Sequence, residues 1–141
     1  MDLLTDAQAA EVVGVDARVA PVHLANLSDA LGRRPTRDRW ASETVVAMAA
    51  IRELDPRGGH PERWADGART AGDAHGRGLA PAYLVTAGGD DFGVVLDSDH
   101  VERDAARAAM HLAEVGRAVR VVRLRPIIEH LCDVLELPAA M

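Results

Sequence analysis

Lysine is absent: all 16 basic side chains of this 141-residue chain are arginines. Schiff-base chemistry and the phosphate-gripping lysine of a P-loop are therefore excluded together. The single cysteine, Cys132, rules out an intramolecular disulfide framework and any cysteine-rich zinc site, and it fits a reducing cytoplasm. Aromatic residues amount to two Trp, one Tyr and one Phe, so the core must rest on aliphatic side chains and a base-stacking surface has little to be built from. Positive charge is in deficit as well. A formal net charge of -6 argues against general polyanion binding and leaves room only for a local basic patch. No apolar run approaches the roughly 20 residues that span a bilayer, and Asp2 and Asp6 stand where a secretory leader would carry base. A cytoplasmic protein without a membrane partner is expected. With 48% hydrophobic and 27% charged residues the chain should fold, and its length suits one core or one small core with a packed helical extension.

What is present is organised around residues 82–124. Tyr83-Leu84-Val85-Thr86 and Phe92-Gly93-Val94-Val95-Leu96 are β-rich runs separated by Ala87-Gly88-Gly89-Asp90-Asp91, the pattern of a hairpin. The period then changes. Val101, Ala105, Ala109, Leu112 and Ala113 form a helical stripe, Gly116 marks its stop, and residues 119–124 read as a third strand. Pro126 opens a closing helix with Ile127, Ile128, Leu131, Val134 and Leu135 on one face. This ββαβα module, with strand order 2-1-3 allowed by a crossover helix, gives an α+β fold class.

The amino-terminal part reads as helical. Thr5 is the expected N-cap of a helix over residues 6–13 that stops at Gly14, and Pro21 opens a second helix whose face is Leu24, Leu27 and Leu31, ending at Gly32. Ser42 is the expected N-cap of a third helix, apolar almost all round from 44 to 51 and hence a core helix. Six glycines between Pro56 and Pro81 suggest a loosely packed connection with one short helix over 61–70. The expected organisation is thus 1–55 helical, 56–81 a Gly/Pro/Arg-rich connection, and 82–141 the ββαβα module.

Few residues suggest chemistry. The string Val94-Val95-Leu96-Asp97-Ser98-Asp99 resembles the opening motif of haloacid-dehalogenase-like phosphatases, but that family also requires a lysine. The expected role of Asp97, Ser98 or Asp99 is to cap the following helix, with Asp99 and Glu102 in capping-box spacing. The six histidines show no zinc-protease spacing, and Cys132 should pack as a small apolar residue. No catalytic residue, metal ligand or cofactor is expected.

Residues 33–39 hold four arginines, Arg33, Arg34, Arg37 and Arg39, and Pro35 forbids a regular helix there, so an exposed loop is expected. On both sides of this loop the chain resembles excisionase-like and MerR-like winged helix-turn-helix domains. Residues 3–15 match the short strand, Thr cap and helix ending at Gly14-Val15, and residues 37–47 match the end of the wing with its following helix. The resemblance covers about the first 50 residues. It implies a non-enzymatic regulatory protein that contacts duplex DNA through Arg33, Arg34, Arg37 and Arg39. The alternative is an interaction module, either a homodimer or an accessory to another protein, since a sheet of about three strands leaves edges that a partner can cover.

Overall fold

The computed structural model describes residues 3–114 and 118–136. Strand β1 (Leu3–Leu4) pairs antiparallel with β2 (Trp40–Ala41), Leu4 standing opposite Trp40. Between them lie α1 (Asp6–Val13) and α2 (Ala20–Leu31). The start of α1 is fixed by a reciprocal cap. The Gln8 amide N–H donates to Thr5 Oγ1 at 3.1 Å and the Thr5 N–H donates to Gln8 Oε1 at 2.9 Å, satisfying two donors that the helix itself cannot. Leu24, Leu27 and Leu31 of α2 are buried, as their spacing predicts.

Helix α3 (Ser42–Leu54) follows β2 directly. Its N-cap is Ala41 rather than the expected Ser42, because the strand runs straight into the helix and Ser42 already occupies the first helical position. Every residue from 44 to 51 is buried, so α3 is the core helix. The connection after it is better built than its glycines suggest. Pro61–Trp64 form a 3-10 turn, and α4 (Ala65–Gly76) extends well past the expected short helix. Among the described residues, α3 and α4 share the most extensive contact of any two elements. Glycine serves close approach here: a Cβ at Gly72 would lie 2.2 Å from the Glu43 carbonyl oxygen, and one at Gly67 would lie 3.1 Å from the Leu84 side chain.

The carboxy-terminal part comprises β3 (Pro81–Gly88), β4 (Asp91–Leu96), α5 (Val101–Ala113), β5 (Arg120–Arg123) and α6 (Leu124–Glu136). The sheet order is β4-β3-β5, which is the expected 2-1-3. Both outer strands run antiparallel to β3, hence parallel to each other, with α5 connecting them. Side chains alternate across the sheet: Leu84 and Val122 join the main core with α3 and α6, while Tyr83 faces α5 and its hydroxyl donates to Glu102 Oε1 at 2.6 Å. Most buried apolar residues from Leu4 to Val134 belong to one contiguous cluster, while the buried Val85, Ala105 and Leu112 lie outside it.

Three expectations in this part change. The N-cap of α5 is His100, without a side-chain cap bond. Ser98 Oγ instead accepts the His100 N–H at 3.2 Å and Asp97 pairs with Arg125 at 2.8 Å, so the Asp99–Glu102 capping box does not form. Helix α6 begins at Leu124, which makes Pro126 its third residue, still within the turn whose N–H groups have no intrahelical acceptor. Cys132 is exposed, since it lies off the stripe Leu124, Ile127, Leu131, Val134 that faces the core. The stop expected at Gly116 lies outside the described residues.

Candidate nucleic-acid interface

The arginine-rich segment is a miniature hairpin. The Thr36 N–H donates to the Arg39 carbonyl at 2.8 Å and the Arg39 N–H donates back to Thr36 at 3.0 Å, closing a two-residue loop. Both loop residues are left-handed, Arg37 at φ 51° and Asp38 at φ 62°. This is the φ pattern of the tight hairpin turn that normally calls for Asn-Gly, because its twist matches that of the strands. Asp tolerates the conformation; Arg does not favour it. Replacing Arg37 by Asn should therefore raise stability by about 0.5–1 kcal/mol, as strain at such positions is of order 1 kcal/mol. Thermal unfolding of the two proteins checks this, and an unchanged or lower midpoint would contradict it.

Trp40 anchors the hairpin. Its ring is buried and its indole N–H donates to Asp6 Oδ1 at 2.7 Å, which ties the returning strand to the first turn of α1. The four arginines then divide. Arg33 is half-buried and pairs with Asp73 of α4 at 2.8 Å, so it fastens the loop to the helical core. Arg34, Arg37 and Arg39 are exposed and form no ion pair among the described residues.

Between the hairpin and α2 runs an open groove of about 390 Å³, with Pro21, Ala25 and Asp29 on the helix side and Arg34, Pro35 and Asp38 on the hairpin side. On the opposite flank of α2, His23, Asn26 and Leu27 border a cavity of about 150 Å³ that also includes Arg52 and Arg57. Asp55, in the same wall, accepts the backbone N–H groups of Gly59 and His60 at 3.2 and 2.9 Å, and so shapes the turn carrying Arg57. Helix α2 thus lies between two arginine-bearing flanks. Sequence reading missed Arg52 and Arg57, because one reads as an ordinary last-turn helix residue and the other as part of a Gly/Pro connection. Only the packing of α2 against α3 brings them beside the helix.

The outward side of α2 carries Val22, His23, Ala25, Asn26 and Asp29. Asp6, Asp29 and Asp38 line the hairpin groove together with Arg34. Of the ionisable groups near α2, Asp16 has its carboxyl pKa lowered by the side-chain bond from Arg18, with a further contribution from the Arg18 backbone N–H. No group of three or more potential metal ligands occurs among the described residues.

No family model, no curated protein and no solved structure matches the chain.

Proposed function

We propose that this is a non-enzymatic regulatory protein that binds duplex DNA with α2 as the element entering a groove. The observation that carries the reading is the placement of Arg34 on one flank of α2 and of Arg52 and Arg57 on the other, with Arg37 and Arg39 exposed in the hairpin that follows Arg34. Phosphates border a DNA groove on both sides, so a helix lying in it needs cations on both flanks. Side chains on α2 suit base edges of the major groove: Asn26 can pair with adenine, Asp29 can accept from cytosine, and Val22 and Ala25 can meet a thymine methyl. Arg33 is left out of the contact set because Asp73 already neutralises it.

Fluorescence titration of labelled random and genomic duplexes at several salt concentrations tests the proposal. Phosphate contacts from all five arginines give a slope of roughly 4 to 5 in log affinity against log salt, at about 0.9 counterion per contact. The triple alanine variant of Arg34, Arg37 and Arg39 should reduce the slope by about 3, and the Arg52/Arg57 variant by about 2. An absence of parent binding at low salt removes the reading.

A second reading, a protein partner or a second copy of the chain, is favoured by the exposed apolar residues Val19 and Val22 beside Pro21 and by the three carboxylates, Asp6, Asp29 and Asp38, that line the neighbouring groove. It predicts a concentration-dependent sedimentation coefficient, or a captured partner, that Val22→Glu abolishes.

A further inference from the structure

Among the described residues β4 and β5 are the outer strands of the sheet, each paired on one side to β3. Strand β5 reads Arg120-Val121-Val122-Arg123, whereas β4 is bounded by Asp91 at its start and Asp97 just past its end. Helix α5 packs chiefly on β3 and β4, so the layer above β5 is incomplete and Val121 remains 50% exposed. Arg123 stands on that same face, opposite Tyr83, and borders a small cleft with Glu102 and Arg125. Both neighbouring carboxylates are already engaged, Glu102 by the Tyr83 hydroxyl at 2.6 Å and Asp97 by Arg125 at 2.8 Å. Arg123 therefore has no ion-pair partner among the described residues. Among the described residues Arg120 forms no ion pair either; it donates to the Leu54 carbonyl at 2.8 Å and lies 5.6 Å from the Trp64 ring centroid.

We infer that β5 is a docking edge for an acidic extended peptide segment of a partner protein, which adds to the sheet as a fourth strand. Backbone pairing supplies the attachment and the alternating side chains supply selectivity. An apolar residue of the added strand lies beside Val121, and a carboxylate two positions along lies beside Arg123 on the same face. On the other face a carboxylate meets Arg120 and an apolar residue meets Val122. The complement of Arg-Val-Val-Arg is thus acid-apolar-apolar-acid, a pattern that reads the same in either strand direction. This site lies in a different part of the chain from the proposed DNA contacts and does not depend on them.

A fluorescent peptide containing Glu-Val-Val-Glu, titrated against the full chain, tests the inference beside two controls: a charge-reversed Arg-Val-Val-Arg peptide and one with proline in place of a central valine. The acidic peptide should bind, the reversed one should not, and proline should weaken binding by about tenfold or more because it removes a ladder N–H and strains the strand. Arg123→Glu, with its fold confirmed by circular dichroism, should cause a comparable loss, since it sets like charges opposite each other. Failure of the acidic peptide to bind overturns the proposal. So does equal binding of the proline peptide, which would show charge adhesion without strand addition, or full affinity in Arg123→Glu.

Discussion

Gly72→Ala is expected to destabilise the protein by about 1–3 kcal/mol, although alanine is the better helix former by about 1 kcal/mol. The added Cβ would stand 2.2 Å from the Glu43 carbonyl oxygen, with the Ala47 methyl 3.3 Å away on the same side. The clashing atom is backbone of the buried core helix, so it cannot rotate aside as a side chain could. Relief requires α4 to move off α3 across the most extensive interface among the described residues. Gly59→Ala serves as the control, because nothing lies within 4 Å of its built Cβ and its φ is not in the left-handed region. Urea unfolding of both variants should show a lowered midpoint for Gly72→Ala and a shift within about 0.5 kcal/mol for Gly59→Ala. A Gly72→Ala protein as stable as the parent would show that α3 and α4 are not packed this closely.

Trp40→Ala should be costlier, at about 3–5 kcal/mol, the usual range for truncating a large buried aromatic. The side chain is only 5% exposed, stands opposite Leu4 in the β1–β2 ladder, and reaches Asp6 through its indole N–H. Its removal opens the core beneath the hairpin and unties the returning strand from α1. Trp40→Phe separates the two contributions: it retains most of the apolar area and loses the hydrogen bond, so a cost of about 1–2 kcal/mol is expected. The readout is again the urea midpoint, with protease cleavage near Arg37 as a local probe of the hairpin. Trp40→Ala within 1 kcal/mol of the parent would mean that the hairpin is held by something other than this ring.

Legibility from sequence followed the range of the forces involved. The cap at Thr5, the left-handed stops at Gly14 and Gly32, and the buried faces of α2, α3 and α6 were readable because each is set by residues within one or two helical turns. Strand order was readable too, since a hairpin followed by a helix and a third strand leaves few ways to close a three-stranded sheet. The region 56–81 was misread as loosely packed, because glycine has the same local signature whether it loosens a chain or lets another backbone approach. Asp99 has capping-box spacing without forming the cap, because the chain enters α5 with His100 at the N-cap position.

The candidate site divides in the same way. The density of arginines in residues 33–39, and a break from helix at Pro35, are properties of the sequence itself. Their separate fates are not: Arg33 is drawn to Asp73, forty residues away, while Arg34, Arg37 and Arg39 remain exposed. Nor could spacing place Arg52 and Arg57 beside α2, or leave Val121 of the outer strand β5 half exposed. Local sequence determined which segments become helix or strand and which faces are apolar, because those preferences act between near neighbours. The tertiary structure alone decided which charges meet a partner and which glycines touch backbone, because both depend on contacts between residues far apart in the chain.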